Sequence, residues 1–101
     1  MMRGLTVKLL LVITLLLAPS VAKAGEIRVA VASNFADAMR SLASSFERRS
    51  VYEVTLSFGS TGKHYAQIRN GAPFDMLFAA DDLRPRLLEQ EGVAIRGTRF
   101  T

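Results

Sequence analysis

The hydrophobic pattern of residues 26–101 changes between strand and helix periodicity. Ile27, Val29 and Val31 alternate with smaller or polar residues, which is typical of a strand that becomes buried toward its end. Apolar residues then recur at helical spacing, so we expect a helix over residues 36–48. The first strand–helix unit is therefore predicted to end near residue 49.

Two further units follow at similar spacing. Alternating residues 52–58 predict a second strand, residues 59–62 a turn, and residues 64–68 a short helix. The nearly continuous apolar run of residues 74–80 predicts a third strand, central in the sheet, before a helix capped by Asp81–Asp82. Four aromatic side chains are expected in the core, namely Phe46, Phe58, Tyr65 and Phe78. The order βαβαβα with short loops predicts an α/β fold built on a parallel sheet with right-handed crossovers.

Hydroxyl-bearing residues follow the first two strands. Ser33 and Asn34 end the first strand, and Ser60 and Thr61 lie in the turn after the second. Carboxyl ends of parallel strands meet at one sheet edge, and a helix start presents free amides and a positive dipole end, which favours an anion. We expect these four residues to line an oxyanion-binding cleft. Plain helix capping, by Asn34 with Asp37 or by Ser60 or Thr61, is the alternative that the residues leave open.

The same stretch gives little evidence for nucleotide binding, catalysis or metal binding. Residues 59–64 resemble a phosphate-binding P-loop, but Ser57 stands where that motif needs glycine and His64 where it needs Ser or Thr. Lys63 and His64 are the nearby cationic candidates, and we expect His64 to be a surface or hydrogen-bonded residue because nothing orients it as a base. We find no nucleophile–base pair and no carboxylate or histidine cluster at metal spacing, with Asp81–Asp82 read as a cap. The sequence predicts a binding protein and not an enzyme.

The donor types indicate which anion fits. A fully deprotonated tetrahedral oxyanion only accepts hydrogen bonds, and neutral hydroxyl and amide donors satisfy it. Without a full counter-charge, such a site can release its ligand readily. A protonated phosphate would also need an acceptor, and Asp75, before the third strand, is poorly placed to provide one.

Residues 1–24 have the pattern of a secretory signal peptide. Arg3 and Lys8 precede or border an apolar core at residues 9–17, and Ala22–Ala24 is a small-x-small cleavage site. The apolar core is about half the length that a membrane helix needs. Residues 1–24 hold three of the 13 basic side chains and none of the 9 acidic ones, so the remainder carries a net charge of about +1. That charge gives no support to a nucleic-acid partner, and the absence of cysteine excludes disulfides and thiolate metal sites.

The segments VAVASNFADAMRSLASSFE and VTLSFGSTGKHYAQIRNGAPFDMLFAADD, followed by EQEG, resemble a known family. They are similar to the periplasmic molybdate-binding proteins of molybdate ABC transporters, which are type II periplasmic substrate-binding proteins. The resemblance covers almost all of residues 26–101. It implies a monomeric, two-lobed α/β protein of the periplasm that binds molybdate or tungstate between its lobes. It also implies delivery to an inner-membrane permease, with neither catalysis nor a cofactor.

The resemblance also assigns contacts. The family's two hydroxyl ligands to molybdate fall on Ser33, with the Asn34 backbone beside it, and on Thr61, with Ser60 adjacent; register does not separate Ser60 from Thr61. The family is roughly two to three times longer than this chain, as two lobes require. Residues 25–101 are therefore expected to form the N-terminal part of the binding domain, without the second lobe, and to bind molybdate weakly or not at all. The alternatives are a binder of sulfate, phosphate or another oxyanion, or a truncated fragment that does not bind.

Overall fold

The computed structural model describes residues 24–101, so residues 1–23 of the predicted signal peptide lie outside the described part. Three strands alternate with three α-helices, which confirms the predicted α/β class. In chain order the elements are β1 (Gly25–Ala32), α1 (Ala36–Arg49), β2 (Tyr52–Gly59), α2 (Thr61–Arg69), β3 (Met76–Phe78) and α3 (Leu83–Gln90). A 3-10 turn, Ser33–Phe35, connects β1 to α1. None of the helices in the described part is long and apolar enough to cross a membrane.

The first strand is the centre of the sheet. The strand order is β2-β1-β3, and both pairings are parallel. β1 pairs with β2 along its whole length, with Ala32 opposite Gly59 at the carboxyl end, while β3 pairs only with residues 29–31. Neighbours on both sides bury the second half of β1. The carboxyl ends of β1 and β2 therefore lie side by side.

The predicted central position of the third strand is wrong. β3 lies at the edge of the described sheet, and its first residue, Met76, is 41% exposed. A run of apolar residues indicates that both faces of a strand are covered, but it does not indicate whether the strand has neighbours on one side or on both. Asp75 extends the pairing toward the amino end of β1, because it donates its N–H to the Arg28 carbonyl and accepts the Arg28 N–H at Oδ2, both at 2.8 Å. This position agrees with the expectation that Asp75 is remote from the cleft.

The core of the described part is small. Val29, Val31 and Met39 are buried together, and four partly buried side chains pack against them, namely Ile27, Val54, Leu56 and Phe78. Of the four aromatics predicted in the core, only Phe78 packs there. Phe46 and Phe58 are 43% and 37% exposed, and Tyr65 is half-buried with its hydroxyl donating to Glu91 Oε1. Phe46 stacks against the Tyr52 ring, and the guanidinium of Arg40 lies 4.5 Å from the centroid of Phe58. Helical or strand periodicity identifies a face but not what covers it.

The connection between β2 and α2 is shorter than predicted. β2 continues through Gly59 and α2 begins at Thr61, so Ser60 alone joins the strand to the helix. Ser60 has an extended backbone and caps the helix, which removes the need for a longer turn. The result is that Gly59, Ser60 and Thr61 follow the sheet edge without a protruding loop.

Candidate anion-binding site

An open cavity of about 580 Å³ lies at the carboxyl ends of β1 and β2. All four residues predicted to form the cleft line it: Ser33, Asn34, Ser60 and Thr61. The other lining residues are Ala32, Gly59, Gly62, Ala80, Asp81 and Arg84. Three successive strand–helix connections thus converge on one space, as expected at the carboxyl edge of a parallel sheet.

Within residues 24–101, the side chains of Ser33 and Asn34 have no hydrogen-bond partner. Both residues are exposed. The prediction that Asn34 caps the first helix is wrong: α1 begins without a side-chain cap, and Asp37 instead accepts a bond from Arg40 Nη1 at 3.1 Å. The intervening 3-10 turn moves the start of α1 beyond the reach of Asn34. The hydroxyl and amide donors of Ser33 and Asn34 therefore remain available to a ligand.

Ser60 is the N-cap of α2. Its Oγ accepts the Lys63 N–H at 3.2 Å, and its carbonyl accepts the His64 N–H at 3.0 Å. The capping prediction is therefore confirmed for Ser60. The first amides of a helix have no intrahelical partner, which leaves the N–H groups of Thr61 and Gly62 as donors at this turn. The Ser60 hydroxyl keeps its own proton to donate, so capping and anion binding are compatible.

Thr61 is held more rigidly than Ser60. It is 7% exposed, and its Oγ1 accepts the Ala80 N–H at 2.9 Å. This bond ties the start of α2 to the connection that follows β3. Among the described residues, no acceptor is present for the Thr61 hydroxyl proton, which leaves that proton for a ligand acceptor. Thr61 therefore does not cap its own helix; it offers a donor whose oxygen is fixed by the neighbouring loop.

His64 supports the cavity wall from behind. It is 3% exposed, with Nε2 3.3 Å from the Val31 carbonyl oxygen and Nδ1 3.3 Å from Gln67 Oε1. The carbonyl can only accept, so a hydrogen bond to it requires the tautomer with the proton on Nε2. The ring packs against Gly59, where an added Cβ would lie 3.1 Å from Nε2. The prediction of a hydrogen-bonded histidine is confirmed, and the residue has a structural role.

Arg84 also lines the cavity, although its position there was not predicted. Its backbone N–H donates to Asp81 Oδ1 at 2.9 Å and its Nη1 donates to Asp81 Oδ2 at 2.7 Å. The bond from the Arg84 backbone N–H is the main cause that lowers the pKa of the Asp81 carboxyl below its ordinary value. The side-chain bond and the guanidinium charge lower this pKa further. The predicted cap is met by Asp81 alone, whose Oδ1 accepts an N–H of the first turn of α3. Asp82 is at the N-cap position but makes no side-chain cap bond, and it pairs instead with Arg86 Nη2 at 2.8 Å. The spacing of three residues between Asp81 and Arg84 could have indicated from the sequence that the two side chains pair.

No other charged group of the described part enters the cavity lining. Lys63 is exposed and does not line the cavity. Within residues 24–101 there is no group of three His, Cys, Asp or Glu side chains that could hold a metal ion. Among the described residues, the polar part of the lining thus consists of neutral donors and one ion pair.

Comparison with known proteins identifies the family. The sequence pattern described as "Bacterial extracellular solute-binding protein" matches residues 27–101. The chain belongs to this family. Among curated solute-binding proteins, it is 51% identical over 80 residues to the molybdate-binding protein ModA of Azotobacter vinelandii and 40% identical over 80 residues to ModA of Rhodobacter capsulatus. Each match covers 79% of this chain but 32% of the relative. The chain therefore spans about a third of the length of the curated relatives it matches.

Solved structures of solute-binding proteins show the same fold. The periplasmic molybdate-binding protein of Azotobacter vinelandii matches with a TM-score of 0.72 and 41% identity, over 74% of this chain and 32% of that one. The substrate-binding domain assigned to a molybdenum ABC transporter of Clostridium difficile matches with a TM-score of 0.64 and 23% identity, over 67% of this chain and 30% of that one. The second match supports the fold alone. The resemblance to periplasmic molybdate-binding proteins is thereby confirmed.

Proposed function

We propose that the cavity at the carboxyl ends of β1 and β2 binds molybdate, and tungstate with it, for delivery to an ABC importer. The observation that carries the proposal is that Ser33, Asn34, Ser60 and Thr61, from two separate strand–helix connections, line one cavity. The names of the similar proteins, which are molybdate-binding, support the choice of anion.

The donors of the cavity suit this ligand. Molybdate and tungstate are tetrahedral dianions without a proton at neutral pH, so they accept hydrogen bonds and donate none. Ser33 and Thr61 would supply hydroxyl donors, and the first amides of α2 would supply N–H donors at the positive end of the helix dipole. Ser60 lies close enough to share this role. A site with neutral donors around a dianion binds without forming a strong ion pair, which suits capture followed by release.

Location and partners follow from the same proposal. The signal-peptide pattern of residues 1–24 and the periplasmic relative support a periplasmic location. An ABC permease in the inner membrane would receive the anion from a monomeric binding protein. The anion is cargo, so no catalysis and no resident cofactor are required.

A titration followed by NMR tests the site directly. Sodium molybdate added to the ¹⁵N-labelled chain should shift the amide signals of residues 33–35 and 60–62 in a saturable way. Since the cavity is open, we expect an affinity weaker than low micromolar. Ser33→Ala should weaken binding about tenfold to a hundredfold, because a hydrogen bond to a charged group contributes roughly 1.5–3 kcal/mol. Ser41→Ala is the matched control, since Ser41 is an exposed serine of α1 outside the cavity.

Two results would reject the proposal. One is the absence of saturable shifts at both connections up to the highest soluble molybdate concentration. The other is equal weakening by Ser33→Ala and Ser41→Ala, which would place the anion elsewhere. Parallel titrations with sulfate and phosphate decide whether another oxyanion is preferred.

A further inference from the structure

Among the described residues, the Asp81–Arg84 pair is the one charged element that lines the cavity, and two hydrogen bonds fix its arrangement. Both carboxylate oxygens of Asp81 accept a bond from Arg84, one from the backbone N–H and one from Nη1. The two side chains are 32% and 40% exposed, so neither is withdrawn into the protein interior.

The guanidinium of Arg84 also lies against the turn where the anion is proposed to bind. A Cβ built on Gly62 would lie 3.5 Å from one Arg84 Nη atom and 3.7 Å from Cζ. Gly62 is in the first turn of α2, next to Thr61, and the Ala80 N–H that holds Thr61 immediately precedes Asp81. The ion pair is therefore adjacent to the amide and hydroxyl donors.

We propose that Arg84 is a specificity-determining residue, which occupies the Asp81 carboxylate and so makes the cavity select oxyanions without a proton. This inference rests on the proposed function. A free carboxylate beside the donors would repel any dianion and would accept a hydrogen bond from a protonated one. Hydrogenphosphate carries the same double charge as molybdate and sulfate but has one proton to donate. Arg84 fills one acceptor position on each Asp81 oxygen and offsets the negative charge of Asp81, which makes the carboxylate a weaker acceptor for this proton.

The experiment compares three dianions of equal charge. Molybdate, sulfate and hydrogenphosphate are titrated at about pH 8, where phosphate is mostly doubly charged, and the amide shifts at residues 33–35 and 60–62 give each dissociation constant. Arg84→Met frees Oδ2 of Asp81 and removes the guanidinium charge, while it keeps the backbone bond to Oδ1 and a side chain of similar length. Arg86→Met is the matched control, since Arg86 lies on the same helix in a similar ion pair with Asp82 but outside the cavity.

In Arg84→Met, molybdate and sulfate should each bind about tenfold more weakly, whereas hydrogenphosphate should keep or gain affinity because it can donate to Asp81. The preference for the unprotonated anions over hydrogenphosphate should therefore fall by about tenfold or more. Adding Asp81→Asn to Arg84→Met should restore the preference, and Arg86→Met should leave it unchanged. Equal loss for all three anions, or an unchanged preference, would overturn the inference while leaving the proposed function intact.

A wild-type chain whose cavity amides respond to none of the three anions would overturn both proposals. If Arg84→Met does not fold, as judged from its amide spectrum, Asp81→Asn alone decides. With the acceptor already masked by Arg84 in the wild type, Asp81→Asn should tighten all three anions alike. A selective loss of hydrogenphosphate would show instead that Asp81 accepts its proton in the wild type, and would refute the role given to Arg84.

Discussion

Gly59→Ala tests whether the wall of the cavity is fixed by its contact with His64. The added Cβ would lie 3.1 Å from Nε2 and 3.3 Å from Cε1 of the imidazole, and contacts this short require one of the two groups to move. His64 has little room to do so, because it is 3% exposed and both ring nitrogens have partners at 3.3 Å. Overpacking of this kind costs about 1–3 kcal/mol. Alanine also reduces the conformational freedom of the unfolded chain, which stabilises the folded state by about 0.4–1 kcal/mol. This gain applies at residue 59 because its backbone is not left-handed and can accept alanine. We expect a net destabilisation of about 1–2 kcal/mol.

Urea unfolding monitored by circular dichroism measures this change as a lower midpoint with an unchanged m-value. Gly25→Ala is the matched control at the other end of the sheet, where an added Cβ meets Tyr52 at an ordinary 3.9 Å, and it should be neutral or slightly stabilising. A double-mutant cycle with His64→Ala separates the clash from other effects, since the cost of Gly59→Ala should largely vanish when the ring is absent. A neutral or stabilising Gly59→Ala, or an equal cost in both backgrounds, would refute the reasoning.

Three further outcomes follow from the helix starts near the cavity. Gly62→Ala should stabilise the chain by about 0.5–1 kcal/mol in thermal unfolding, because alanine is the better helix former and its Cβ meets Arg84 at an ordinary 3.5 Å. Ser60→Ala should cost about 1 kcal/mol through loss of the cap to Lys63, whereas Ser60→Asn should recover most of it. Asp81 has its folded-state pKa lowered from 3.8, so its stabilising contribution is present above about pH 4 and is lost as the pH falls through that lowered pKa. Melting temperatures at about pH 5 and pH 3 should therefore differ less for Asp81→Asn than for the wild-type chain, and an equal difference would contradict this assignment.

The sheet edge could be predicted from the sequence because its causes are local. Strand periodicity, short connections and the parallel order βαβαβα together require that the ends of β1 and β2 meet at one edge. Hydroxyls placed directly after those strands must then lie near each other, as Ser33 and Thr61 do around the cavity.

Other features were beyond the sequence because they depend on contacts between distant segments. The hydrogen bond from Ala80 to Thr61 joins residues that are 19 positions apart. The hydrophobic periodicity of the sequence does not indicate such a bond. The edge position of β3 depends on strand order, which an apolar run does not encode. Arg84 was missed for a related reason: its pairing with Asp81 is local, but its position beside Gly62 requires the packing of α3 against α2.

The three connections at this edge have different tasks. The first leaves the Ser33 and Asn34 side chains without a hydrogen-bond partner among the described residues, and the second begins a helix whose first residues, Thr61 and Gly62, line the same cavity. The third contributes no hydroxyl, but its Ala80 N–H occupies the oxygen of Thr61. A hydroxyl whose oxygen already accepts a bond is directed to act as a donor, and a dianion needs donors alone. The selectivity that we propose for this cavity therefore depends on protein groups that never touch the anion as much as on those that do.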